Sequence, residues 1–151
     1  MHILVRLYLR TAFVFLALGL VAGLWVAFQM TTGGTVSHGM LVAHVHLLLV
    51  GFMVMMIVGT ALWLFPRSGR REPIGPYHNL VAFAYVLLTV GTLARAVTEF
   101  FDVQLDGQVW AYVRLGASAA QVAGILIGIF SLWGRVRGAA IPKVTPPSAE
   151  P

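Results

Sequence analysis

An uncharged apolar stretch that contains histidines constrains this chain more than any other feature. Residues 41–65 include no Asp, Glu, Lys or Arg, and a helix needs only about 20 such residues to cross the hydrocarbon core of a bilayer. His44 and His46 lie inside the stretch, and His38 lies just before it. Polar side chains in a membrane span are costly and usually mark an ion, proton or cofactor site. These histidines are therefore the first candidates for function.

Four apolar stretches predict an all-α, polytopic membrane four-helix bundle. Of the 151 residues, 59% are hydrophobic and 10% charged, against about 25% charged residues in soluble domains. The predicted spans are residues 11–30, 41–65, 79–98 and 109–133. They make up one membrane domain over residues 1–140. The proline-rich residues 141–151 are expected to form a disordered tail.

The basic residues are distributed as topology determinants. Eight of the ten Lys and Arg residues occur before the first span, between the second and third, or after the fourth, whereas residues 99–108 carry only acidic charges. Because cytoplasmic loops carry the excess of Lys and Arg, both termini are predicted to be cytoplasmic, in a bacterial-type inner membrane. The scattered charges exclude a nucleic-acid-binding patch. The basic start also matches a secretory signal peptide, but the full length of the first apolar stretch favours an uncleaved span.

The chain contains no Cys, which excludes disulfides, iron–sulfur clusters, thiolate zinc sites and covalent haem attachment. A bound metal would have to use His, Met, carboxylate or carbonyl ligands. On a helix, residues two apart point about 200° apart. His44 and His46 should therefore face different neighbours, and they cannot be the two axial ligands of one haem in the same chain. His78 is predicted at the other end of the bundle, more than about 30 Å from His44.

The face that carries His44 suits a haem. Gly51 lies on that face, where a glycine leaves room for either a flat macrocycle or a close helix. A haem needs a histidine on iron, an apolar slot and cations or donors for its propionates. Arg95 and Arg114 each lie about one turn inside a span end, where propionates would supply a partner. An equally open alternative is that Arg95 pairs with Glu99 and Arg114 extends to the headgroups.

The most specific pattern is in residues 44–67, HVHLLLVGFMVMMIVGTALWLFPR. This segment resembles the second helix of the catalytic subunit of the haem–copper oxidase superfamily, and most closely that of the nitric oxide reductase branch. That helix begins with a histidine ligand of the low-spin haem, followed by a Leu-rich run. His44 falls on the ligand, residues 47–50 match the run, and His46 falls where that branch has Asn. The H-x-H-L arrangement also resembles the NnrS-like haem and copper membrane proteins of nitric oxide metabolism.

The resemblance implies a haem b-binding membrane protein with His44 on the iron. It further implies His46 or His38 as a second ligand and Arg95 and Arg114 at the propionates. Such a cytochrome b would transfer electrons if the iron has two protein ligands, or bind nitric oxide or oxygen if it has one.

The sixth ligand would come from a symmetry mate, a partner subunit, Met30 or Met40, or be absent. The later spans hold no histidine except His78, so the other metal-binding helices of the superfamily have no counterpart here. A complete oxidase or reductase is therefore not expected from this chain alone.

Two other functions fit the same residues. His38, His44 and His46, together with Met30 and Met40, form a soft ligand set suited to copper. Alternatively, the protein is a cofactor-free assembly or structural subunit in which the histidines make interhelical hydrogen bonds, each contributing about 0.6 to 2 kcal/mol.

A stripe of small residues in the fourth span bears on the expected partners. It consists of Gly116, Ala120, Gly124 and Gly128. Such a stripe lets another helix approach closely, either within one bundle or across a homo-oligomer interface. The lipid bilayer and a redox partner subunit are the other expected partners.

Overall fold

In the computed structural model, which describes residues 3–65, 78–101 and 107–133, every element is a helix. The elements are α1 (Ile3–Thr32), α2 (His38–His46), a π-helical segment (Leu47–Val54), α3 (Met55–Leu64), α4 (His78–Phe100) and α5 (Gln108–Trp133). The α2 helix, the π-helical segment and α3 follow one another without a break and are called the second span below. Within the described ranges the chain thus forms four helices long and apolar enough to cross a membrane, which confirms the predicted all-α membrane bundle.

The turn between α1 and α2 is built by two glycines and a serine. Gly33 has a φ of 74°, a left-handed conformation that glycine adopts without a steric penalty. The N–H of Gly34 then donates to the carbonyl of Gln29 at 2.8 Å, which closes the helix end. Ser37 caps the next helix, because its Oγ accepts from the Met40 N–H at 3.2 Å. The second span therefore runs back alongside α1.

The spans pack so that α1 lies against the second span, the second span against α4, and α4 against α5. The α1 and α4 helices meet at the end of the bundle where Tyr8 donates from its hydroxyl to the Val81 carbonyl at 3.1 Å. Thr11 and Tyr85 share a hydrogen bond of 2.8 Å one turn further on. We call this the tyrosine end. The opposite end, which contains residues 38–46 and 95–101, is called the histidine end.

Small residues set the distance between neighbouring helices. A Cβ placed on Gly51 would lie 2.7 Å from Phe15 Cγ, and one placed on Gly124 would lie 2.8 Å from Leu88 Cγ. A Cβ on Gly128 would lie 3.6 Å from Val58. At Gly51 the space that was predicted for a macrocycle or a close helix is thus occupied by α1.

The stripe on α5 packs mainly within the bundle. Ala120 lies opposite Gly91 of α4, and Gly124 and Gly128 contact other helices of the same chain, whereas a Cβ on Gly116 would meet no atom within 4 Å. An oligomer interface through Gly124 would require α4 and α5 to separate. The predicted tail and residues 66–77, the basic segment between the second and third spans, lie outside the described residues.

Candidate functional site

His44 is held in one orientation by the backbone of α1. Its Nδ1 atom lies 2.8 Å from the carbonyl oxygen of Gly19. A carbonyl oxygen can only accept, so Nδ1 donates this hydrogen bond, and in the neutral imidazole Nε2 then keeps its lone pair. Histidines that bind metals commonly donate their other ring N–H to a backbone carbonyl or carboxylate, which fixes the tautomer and the ring orientation. His44 therefore presents Nε2 as an oriented potential ligand.

A second glycine of α1 makes room for the ring. A Cβ placed on Gly23 would lie 2.6 Å from His44 Cε1 and 3.0 Å from Nδ1, and one placed on Gly19 would lie 2.5 Å from Leu48 Cδ2. Gly19 and Gly23 are four residues apart, the G-x-x-x-G spacing that lets membrane helices approach closely. The pair was not among the residues predicted from the sequence, although its spacing alone could have revealed it.

His44 lines an apolar groove of about 330 Å³ on the flank of the bundle. The other lining residues are Leu16, Leu20, Val45, Leu48, Leu49, Phe52 and Met53. All of them belong to α1 or the second span, and no residue of α4 or α5 contributes. Within residues 3–65, 78–101 and 107–133, His44 Nε2 has no hydrogen-bond partner, and it is not among the polar atoms that protein encloses.

This groove fits a haem in part. It offers one imidazole with a free Nε2 and a water-poor apolar wall, which are two of the three requirements of a haem site. The third requirement is a set of donors for the propionates, and among the residues that the structure describes the lining contains no cationic side chain. The structure therefore does not bring Arg95 or Arg114 into the groove.

His46 lies on the other side of α2, near the charged pair of α4. Its Nδ1 atom is buried and has no hydrogen-bond partner among the described residues. The two histidines therefore face different helices, as their spacing predicted.

Arg95 takes part in an ion pair at the interface of α4 and α5. Its Nε donates to Glu99 Oε1 at 2.7 Å, and the two side chains are only 21% and 10% exposed. One terminal nitrogen of Arg95 also donates to Ser118 Oγ, and the Ser118 hydroxyl donates to the Arg114 carbonyl at 2.8 Å. The Arg95–Glu99 pair, one of the two sequence alternatives, is thus present.

The residues predicted for a copper site do not come together. His38 is exposed at the start of α2, and Met30 is exposed near the end of α1. No group of three His, Asp or Glu side chains in the described ranges could hold a metal ion. His44 faces α1 and His46 faces the charged pair of α4, so the described geometry gives no support to a copper site that includes both.

A larger cavity of about 420 Å³ opens between α1, the second span and α4 at the histidine end. Its lining includes Trp25, Phe100 and Phe101 and no ionisable side chain. Because its described lining includes no metal-binding or charged side chain, this cavity is not a candidate for metal binding or catalysis. The His44 groove remains the candidate site.

Comparison with known proteins gives one match. The family model for cytochrome c and quinol oxidase polypeptide I matches residues 3–147, which is nearly the whole chain. Neither the curated proteins nor the solved structures give a match. The family match agrees with the resemblance of residues 44–67 to a haem–copper oxidase helix. This membrane protein therefore belongs to the cytochrome c and quinol oxidase polypeptide I family, the subunit I family of the haem–copper oxidases.

Proposed function

We propose that this protein binds haem b in the groove between α1 and the second span, with His44 Nε2 as the iron ligand. The observation that carries the proposal is the 2.8 Å hydrogen bond from His44 Nδ1 to the Gly19 carbonyl. This hydrogen bond gives Nδ1 a partner but leaves Nε2 without one, and a polar atom without a partner is costly in hydrocarbon. Membership of a haem-binding family supports iron as that partner.

Each residue at the groove has a separate task. The Gly19 carbonyl accepts a hydrogen bond from His44 Nδ1–H and so fixes the tautomer and the orientation of the ring. Gly23 makes room for the His44 ring against α1. The apolar side chains exclude water, and a low dielectric around an iron site is one of the factors that set its reduction potential. Bound haem supplies one-electron transfer or binding of a diatomic gas.

The number of protein ligands decides between these two roles. With a second protein ligand the protein would transfer electrons, and with one ligand it would bind nitric oxide or oxygen at the open side of the groove. Likeness to the nitric oxide reductase branch or to NnrS-like proteins in particular stays a prediction. So does the assignment of Arg95 and Arg114 to the propionates, and Arg95 could take that role only by giving up contacts with Glu99 or Ser118.

We further propose that both termini are cytoplasmic, that the histidine end lies at the outer face of a bacterial-type inner membrane, and that a redox partner subunit exchanges electrons there. The Lys and Arg distribution supports this orientation. Because the chain has no Cys, Gly34→Cys gives a single labelling site at the turn between α1 and α2. Labelling of intact cells by a membrane-impermeant maleimide is expected, and labelling only after lysis would contradict the orientation.

The test of haem binding is the visible spectrum of detergent-purified protein from haem-replete cells, oxidised and reduced, with a pyridine haemochrome assay and metal analysis. A Soret band and bound haem b are expected in the wild type and in His38→Ala, which alters an exposed histidine. His44→Ala should insert normally but lack haem, and added imidazole should partly restore it. A colourless wild type, or full haem content in His44→Ala, would contradict the proposal. The reduced spectrum with and without nitric oxide separates electron carrier from gas binder.

A further inference from the structure

The second span changes its helical geometry directly after the histidines. The eight residues Leu47–Val54 form a π-helical segment between two α-helical parts, α2 (His38–His46) and α3 (Met55–Leu64). A π-helical turn closes its hydrogen bonds between residues five apart, whereas an α-helical turn closes them between residues four apart. The π-helical turn therefore holds one residue more. Such turns inside α-helices often occur at functional sites.

The buried positions on either side of this segment show the effect of the additional residue. Gly39 and Ala43 are buried in α2, and the buried residues of α3 include Val58 and Leu62. Gly39 lies 19 residues before Val58, and Ala43 lies 19 residues before Leu62. In a continuous α-helix about 18 residues complete five turns, so the members of each pair would point about 100° apart. One additional residue in the π-helical segment brings the two buried sides back into line.

The α3 helix is fixed by neighbouring helices on two sides. A Cβ placed on Gly59 would lie 3.0 Å from Tyr8 Cβ of α1, and one placed on Gly128 of α5 would lie 3.6 Å from Val58. Leu62 is only 2% exposed. A change of helical geometry in the segment would therefore rotate α2, and the histidines with it, while α3 stays in place.

The rotation of α2 decides which residue lies against the glycine pair of α1. In the structure this residue is His44, whose Cε1 atom would lie 2.6 Å from a Cβ on Gly23. With α-helical geometry in the segment, α2 would turn by about 100°. His44 would then take the place of Ala43, and Val45 would take the place of His44. His44 would lose the Gly19 carbonyl and face the cavity of about 420 Å³ that Ala43 lines.

The polar surroundings favour the observed rotation. Against α1, His44 Nδ1 donates to the Gly19 carbonyl at 2.8 Å. In the cavity beside Ala43, none of the described lining side chains can accept a hydrogen bond. Because an imidazole without partners is costly in a membrane span, the hydrogen bond to α1 offsets part of the cost of departing from α-helical geometry.

We infer that the π-helical segment absorbs one additional residue of the second span and thereby places His44, rather than Val45, against the glycine pair of α1. The segment is a positioning element, because it acts on the candidate site only through the rotation of α2. This positioning does not depend on haem. It therefore goes beyond the proposed function and is tested separately from it.

Disulfide formation reports which residue lies against α1, because the chain has no cysteine of its own. One variant combines Gly23→Cys with His44→Cys. The matched control combines Gly23→Cys with His44→Ala and Val45→Cys, so that neither variant keeps the imidazole ring. The Cβ atoms of a disulfide lie only about 3.5–4.5 Å apart, so mass spectrometry of oxidised full-length protein should find the larger intrachain disulfide yield with His44→Cys. Equal yields, or a larger yield with Val45→Cys, would overturn the inference.

Changing the number of residues in the segment tests its role directly. Leu49 is 52% exposed, so its deletion removes little packing, and a continuous α-helix of about five turns then joins the aligned buried positions. This deletion should keep the larger disulfide yield with His44→Cys. Insertion of one alanine after Met53 should instead turn α2 by about 100° and shift the larger yield to the Val45→Cys variant. Loss of the His44→Cys preference on deletion, or its retention on insertion, would overturn the positioning role.

Discussion

Polar side chains have different hydrogen-bond partners at two interfaces of the bundle. One interface lies between α1 and the second span, and the other lies between α4 and α5. At the α4–α5 interface, polar side chains pair with one another: Arg95 with Glu99 and Ser118, and Gln121 with Thr92 at 3.2 Å. At the α1–second span interface, His44 bonds through one nitrogen to a backbone carbonyl and leaves the other at an open groove.

The difference distinguishes polar side chains that hold helices together in a membrane from polar side chains that could bind a ligand. Groups that satisfy one another join helices and need no ligand. Thr92 and Gln121 are only 0% and 4% exposed. Their burial is tolerated because the Gln121 amide donates to the Thr92 hydroxyl oxygen. His44 has a hydrogen bond at Nδ1 and none at Nε2 among the described residues, so pairing between helices does not account for it. It is therefore the better indicator of a binding site than the number of charges nearby.

The largest expected effect comes from Gly23→Leu. A side chain there would collide with the His44 ring, since even a Cβ would lie 2.6 Å from Cε1. Loss of a group that orients a metal ligand typically lowers affinity about 10- to 100-fold. We expect a loss of haem affinity in that range, measured by haem titration of apoprotein. Gly116→Leu, which has open space around its Cβ, should bind haem normally, and equal affinities would contradict the role of Gly23.

Gly124→Leu should affect stability instead of haem. Its side chain would press on Leu88 Cγ, 2.8 Å from an added Cβ, and on the Ala84 carbonyl at 3.2 Å. Overpacking of this kind costs about 1 to 3 kcal/mol, and a Leu is large, so we expect about 3 kcal/mol. The free energy of unfolding in mixed micelles measures it, with Gly116→Leu as the control. Weaker dimers with unchanged monomer stability would instead place an oligomer interface at Gly124.

Arg95→Met should weaken the α4–α5 interface moderately. It leaves Glu99, 8% exposed, without its cation. Breaking a fully buried pair costs about 3 to 5 kcal/mol, and because Arg95 is partly exposed we expect about 2 kcal/mol. Adding Glu99→Gln should recover part of the loss. Unfolding in mixed micelles tests both variants. A drop in haem content of the folded Arg95→Met protein would show instead that Arg95 contacts the propionates.

The smallest expected effect belongs to Thr92→Val. The substitution keeps the shape of the side chain but removes the acceptor of the Gln121 amide. Interhelical hydrogen bonds in membranes average about 0.6 kcal/mol, so the unfolding free energy should fall by about that amount. Haem content should stay the same. A loss of several kcal/mol would mean that this bond supports a larger polar network than the structure shows.

Much of this arrangement follows from the sequence through helix geometry. The separation of His44 from His46 was predictable because two residues on a helix differ by about 200°. The Arg95–Glu99 pair was one of two alternatives because residues four apart lie on one face. Both conclusions depend only on positions within a single helix.

Contacts between helices were not predictable in the same way. Ser118 reaches Arg95 only because of the register of α4 against α5, and Gly51 accommodates Phe15 rather than a macrocycle because α1 approaches there. The π-helical segment Leu47–Val54 contains no proline or charged residue from which it could have been predicted. Such features arise from packing between spans, which local periodicity does not contain.

The position of the groove has a consequence for how the protein is made. Its lining ends at Met53, and the glycines that shape it lie in α1. Chains emerge from the ribosome with the N-terminal part first, so the hairpin of α1 and the second span is synthesised before α4 and α5. The groove can therefore be complete before α4 and α5 have been translated.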